Sequence, residues 1–189
     1  RQGGETFVRP SAEANGGMVI VPPMPIMELG TMAFLADPGG AAIGIWQAGE
    51  FPGTGVLGDP GTPAWFELHT RSYDASLDFY RTVFDWDLHA MGDTPEFRYS
   101  TLGEGDAQAA GIMDATAHLP EGVPSYWTVY FATDDTDATP ARVVELGGGS
   151  PQVLAQRFDG HARSASSTEV RRIAPMSPVT PLWVQCVSE

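Results

Sequence analysis

Glu67 and His69 are the pair best placed for chemistry, because they stand two positions apart in the alternating run Ala64 to Thr70. In a half-buried strand Trp65, Glu67 and His69 share one face while Phe66 and Leu68 share the other. Side chains two apart on a strand lie about 7 Å from one another, so both can reach one small ligand or, less easily, one metal ion. The pair reads as a catalytic acid/base couple, with a desolvated carboxylate and an imidazole near its working pKa. It reads equally as a buried Glu67 bonded to its own sheet with His69 at the solvent rim. Trp65, Thr128 and Tyr130 fall on the same face and read as ligand-binding, an aromatic and partly polar wall that suits a flat organic molecule. The plainer reading of Trp65 is core filling. Tyr126, Trp127 and Val129 are expected to include helix-facing packing residues.

The other candidates carry less. His89 follows a helix, His118 lies in a Pro/Gly connector and His161 in a Ser-rich stretch, so all three are expected at the surface. Cys186 reads as a small buried hydrophobe, with no histidine beside it in sequence. Gly147 to Gly149 follow a helix, whereas a phosphate loop needs its glycines between a strand and a helix start.

The elements that must hold these residues follow from periodicity. From Ser76 onward Leu77, Phe79, Tyr80 and Val83 or Phe84 recur at helical spacing, giving an apolar stripe to lay on the sheet. Tyr126 to Gly148 repeats the plan: strand, acidic turn, helix, glycine stop. Upstream, a helix tail at Ala12 is stopped by Gly16 and Gly17 and followed by strands Met18 to Val21, Met32 to Ala36 and Ala42 to Trp46. Gly53 to Pro63 has the punctuation of a linker. Further strands are expected near Phe97 to Leu102 and Gln108 to Met113, then a connector from Leu119 to Pro124. The helix-to-glycine-to-strand signal occurs in ANGGMVIVPP and again in ELGGGSPQVLA, which points to internal duplication. Beyond it, Arg157 to Val170 is Ser-rich, and Pro178 and Pro181 interrupt Ile173 to Val187, where a closing hairpin is expected to be irregular.

Three blocks carry a family resemblance: WFELHTRSYDASLDFYRTVFDWDL (65–88), YWTVYFATDDTDATPARVVELGG (126–148) and TMAFLADPGGAAIGIW (31–46). Together they resemble the vicinal oxygen chelate superfamily of glyoxalases, bleomycin-resistance proteins and extradiol dioxygenases, in particular two-domain actinobacterial members that carry a hydroxylase label. The resemblance implies an α+β fold of paired βαβββ modules closing on a shared cleft. Residues 1–50 would be the latter part of a module in an incomplete first domain, and 51–63 a linker. Residues 64–189 would be a second domain with modules 64–118 and 125–189, the last one irregular. Family members with chemistry place His or Glu at four strand positions around one divalent metal. Here those positions fall on Trp65, near Thr128, near Val184 or Gln185, and near Gly44, none a good ligand. No cofactor is therefore expected, with a divalent metal held by Glu67 and His69 in shifted roles as the lesser alternative.

Composition bounds the partners. With 24 acidic against 10 basic residues the net charge is −14, which disfavours nucleic acid and anionic membrane surfaces. The 22 glycines and 16 prolines suit short strands and turns. A single cysteine and no apolar run near the roughly 18 residues of a membrane span point to the cytoplasm, and Arg1 does not open a signal peptide. The expected function is binding of a small hydrophobic or aromatic metabolite without the family metal. The alternatives are a hydroxylase-, dioxygenase- or lyase-like enzyme in which Glu67 removes a proton and His69 or Tyr130 steadies oxyanion charge, and a non-catalytic interaction protein. Open module edges leave room for an upstream segment or for a second copy in a homodimer.

Overall fold

The computed structural model describes residues 11–148 and the strand Leu182–Trp183. The described residues open with a helical turn over 11–14, after which Gly16 takes φ +82° and turns the backbone into the first strand. Strands β1 (Met18–Ile26), β2 (Gly30–Ala36) and β3 (Ala42–Ala48) form an antiparallel meander, and β9 (Leu182–Trp183) pairs along β3. Strand β1 runs well past the Val21 at which it was expected to end, through Pro22, Pro23 and Pro25. It does so as an edge strand with register shifts between Val19 and Val21 and between Val21 and Met24, where missing N–H donors cost no ladder bonds.

The second sheet orders its strands β5-β6-β7-β4-β8. Strand β4 (Pro63–Thr70) leads into helix α1 (Tyr73–Phe84), then β5 (Leu88–Thr94), β6 (Phe97–Leu102) and β7 (Ala110–Asp114), which returns parallel to β4. That path is one βαβββ module, and β8 (Tyr126–Phe131) adds antiparallel to the other edge of β4, opening the next. Among the described residues its helix α2 (Ala138–Glu145) buries no side chain, and just before it Asp135 Oδ1 accepts the N–H groups of Asp137 and Ala138. Strand β5 was not anticipated. Gly92 and Asp93 break its apolar pattern, and a register shift between Ala90 and Gly92 disturbs the alternation that would reveal it.

Helix α1 begins three residues before its expected start, because Tyr73 is buried and its hydroxyl bonds Ser100 Oγ at 2.6 Å. It ends at Asp85, a non-glycine residue at φ +55° whose N–H reaches the Tyr80 carbonyl. Its apolar stripe of Leu77, Phe79, Tyr80 and Val83 joins Leu68, Ile112 and Trp127 from one sheet and Leu35 and Ile43 from the other in a single buried cluster. The helix therefore takes one face of each sheet. The opposite face of the β4 sheet carries Trp65, Glu67 and His69. Among the described residues, no helix is long and apolar enough to cross a membrane.

Candidate functional site

Register pairing aligns a row of side chains across the face of the β4 sheet turned away from α1. His89 on β5, Thr101 on β6, Gly111 on β7, Glu67 on β4 and Thr128 on β8 are successive partners. The neighbouring row runs Tyr99, Met113, His69 and Tyr126, and Trp65 partners Tyr130 on the other side. Partners in register point to the same face, so all five residues singled out from the sequence (Trp65, Glu67, His69, Thr128 and Tyr130) lie together. Tyr126 also lies here, stacked on His69 with ring centroids 5.0 Å apart, while Trp127 faces the helix.

Glu67 is the hub. Tyr99 Oη donates to Glu67 Oε2 at 2.7 Å and Tyr130 Oη to Oε1 at 3.0 Å, while Trp65 Nε1 donates onward to Tyr99 Oη at 3.2 Å. His69 Nε2 sits 3.2 Å from Glu67 Oε1, yet the ring is turned so that this buried nitrogen has no aligned hydrogen-bond partner. Tyr99 stacks on Phe97 at 5.9 Å, extending the aromatic surface.

Sequence reasoning did not single out Tyr99, which lies 32 residues from Glu67. The signal was Gly111, a glycine inside a strand, which often marks close approach of another group. A Cβ at Gly111 would stand 1.9 Å from Tyr99 Oη, so only glycine lets the ring lie across β7 and reach Glu67.

The electrostatics follow from burial and bonding. Burial by itself raises the Glu67 carboxyl, but the His69 imidazole and the Tyr99 and Tyr130 phenols outweigh it and hold the carboxyl below its ordinary value. Burial first, and then the Glu67 charge, push the Tyr99 and Tyr130 phenols far up. Glu67 is thus a carboxylate and its partners are protonated donors at neutral pH. A carboxylate so held is a weak base.

His89 and His118 are outside this cluster. His89 lies at the far end of the row, with Nε2 2.9 Å from Asp87 Oδ2 and Nδ1 3.3 Å from Glu104 Oε1, and hydrogen bonding to Asp87 raises its pKa. His118 is exposed. His161, Val184, Gln185, Cys186 and the segments 157–170 and 173–181 lie outside the described residues.

A resident divalent metal takes three or four converging protein donors. Among the described residues this face offers Glu67 and His69, and both Glu67 oxygens already accept phenolic protons. At the other positions the resemblance points to, Trp65 presents an N–H donor and Gly44 no side chain. These residues do not by themselves fit a metal.

A family model described as Glyoxalase/Bleomycin resistance protein/Dioxygenase superfamily matches residues 62–170. The chain is 40% identical over 144 residues to a provisionally named glyoxylase, CFP32, of Mycobacterium bovis, covering 76% of this chain and 53% of that protein. It is 38% identical over 176 residues to the anthracycline biosynthesis protein DnrV of Streptomyces peucetius, covering 86% and 61%. With the anthracycline biosynthesis protein DauV of Streptomyces sp. (strain C5) it shares 32% over 184 residues, again 86% and 61%. The chain spans between half and two thirds of the length of these relatives.

Proposed function

We propose, for a chain that belongs to the glyoxalase/bleomycin resistance protein/dioxygenase superfamily, that it binds a small, flat, hydrophobic or aromatic metabolite on the Glu67 face of the β4 sheet. One observation carries this reading: Glu67 is satisfied from within by Tyr99 and Tyr130, and four of the half-exposed side chains around it, Trp65, Tyr99, Tyr126 and Tyr130, are aromatic, beside Thr128 and Met113. Trp65, Tyr99, Tyr126 and Tyr130 supply π-faces for stacking, and Thr128 a hydroxyl beside them. Two relatives are named for anthracycline biosynthesis, and a fused-ring polyketide is the ligand shape such a surface suits.

A second reading is favoured by the 3.2 Å approach of Glu67 Oε1 to His69 Nε2. In an enzyme of this chain, His69 would take a proton from a ligand C–H or O–H, and the carboxylate beside it would stabilise the imidazolium formed. Glu67 would then orient rather than abstract.

Titration of tryptophan fluorescence with an anthracycline tests the binding reading. Saturable quenching is expected for the wild type, with affinity roughly tenfold weaker in Trp65→Ala through lost stacking. Equal affinity in the two proteins would overturn it. Product formation abolished in His69→Gln with binding intact would establish the enzyme reading.

A further inference from the structure

His69 and Tyr126 are stacked register partners, and each is followed or preceded by a buried hydroxyl residue. Thr70 ends β4 directly after His69, and Ser125 stands directly before Tyr126. The two hydroxyls meet behind the stacked pair. Ser125 Oγ donates to Thr70 Oγ1 at 3.4 Å, and Ser76 Oγ donates to Asp37 Oδ2 at 3.5 Å. A hydroxyl has one proton, so the 3.0 Å bond between Thr70 and Ser76 must be donated by Thr70. The result is a directed chain, Ser125 to Thr70 to Ser76 to the Asp37 carboxylate. Such chains strengthen one another in a low-dielectric interior.

Asp37 belongs to the turn Asp37-Pro38-Gly39-Gly40 between β2 and β3, on the other sheet. Its Oδ1 accepts the N–H groups of Gly39 at 2.9 Å and Ala41 at 2.8 Å, which pins the turn. Its Oδ2 also accepts the Tyr80 hydroxyl at 3.3 Å, and Tyr80 in turn accepts Trp127 Nε1 at 3.1 Å. The turn is seated tightly. A Cβ at Gly39 would come within 2.6 Å of Ser125 Oγ and 2.8 Å of Thr70 Oγ1, and Gly39 does not use the left-handed region that only glycine favours.

We propose that this turn is a positioning element for the site: Gly39 and Asp37, without touching ligand, set the ends of β4 and β8 and thereby the stacked His69–Tyr126 pair. Ligand affinity on one sheet is then coupled to the docking of the other. The affinity part rests on the binding reading above; the geometric part stands apart from it.

The test follows the His69 ring protons by NMR, since stacking on Tyr126 shifts them by ring current. Gly39→Ala is expected to move these resonances toward unstacked positions and to weaken the anthracycline roughly tenfold. Ser125→Ala, which removes the hydroxyl that ties β8 to Thr70, is expected to move both the same way. Should Gly39→Ala fail to fold, Asp37→Asn provides the same reading, because it keeps an acceptor for the turn N–H groups while weakening the pull on the hydroxyl chain. Unmoved His69 resonances in a folded Gly39→Ala or Ser125→Ala variant would overturn the proposal. Failure of the wild type to bind anthracycline, with the resonance shifts of the variants present, counts against the ligand reading alone.

Discussion

Replacing Gly111 by Ala tests how the Glu67 cluster is assembled. The new methyl would lie 1.9 Å from Tyr99 Oη and 2.5 Å from Cζ. The ring is rigid and stacked on Phe97, so it must swing away as a whole. Two bonds are then lost: the phenol to the carboxylate at 2.7 Å, and the Trp65 indole to the phenol at 3.2 Å. A hydrogen bond to a charged group contributes about 1.5–3 kcal/mol and a neutral one about 1 kcal/mol. Water entering the half-exposed site offsets part of this, and loss of glycine's freedom in the unfolded chain returns about 0.4–1 kcal/mol. The net destabilisation is about 2 kcal/mol, which at a urea slope of about 2 kcal/mol/M lowers the unfolding midpoint by about 1 M. A double-mutant cycle makes the cause specific. Tyr99→Phe should cost about 2 kcal/mol in the wild type and almost nothing in Gly111→Ala, a coupling of about 2 kcal/mol. Equal costs of Tyr99→Phe in both backgrounds would refute the reasoning.

Three further outcomes are expected. Because the folded Glu67 carboxyl sits below its ordinary 4.5, its stabilisation is complete above that value and is lost as pH falls through the folded one; Glu67→Gln should show a shallower acid limb in urea unfolding, and parallel limbs would contradict this. Burial raises the Asp37 carboxyl above 3.8, so its contribution is full below that pH and is lost as pH rises through the folded value. The stability gap between Asp37→Asn and wild type should therefore move in favour of the variant over that window, measured by thermal unfolding. Tyr130→Phe removes the bond to Oε1 and leaves Tyr99 bonded; the Glu67 carboxyl should titrate higher by NMR, and an unchanged midpoint would deny Tyr130 its role.

The readable parts of the sequence were those in which period and burial agree. Strand β4 alternates Trp65, Phe66, Glu67, Leu68 and His69, with the apolar pair against the helix, and the stripe of α1 is continuous. The Gly16 and Gly147 stops both take positive φ. Strand β5 stayed hidden because the LHAMGDT segment is partly exposed and its pairing shifts near Gly92. Tyr99 stayed hidden because its place at the site depends on β6 lying two strands from β4, a matter of topology rather than local pattern. Tyr126 was legible by alternation, which puts it on the face of Thr128 and Tyr130; its pairing with His69 brings it to the site. The low carboxyl of Glu67 was illegible, since it depends on two phenols brought from β6 and β8.

The most direct measurement is a crystal structure of the full chain with an anthracycline bound. The ligand rings are expected against Trp65, Tyr99 and Tyr130, with the Glu67 carboxylate still bonded to both phenols. Ligand seated elsewhere, or Glu67 freed from Tyr99 and Tyr130 to bind it or an ion directly, would contradict the account.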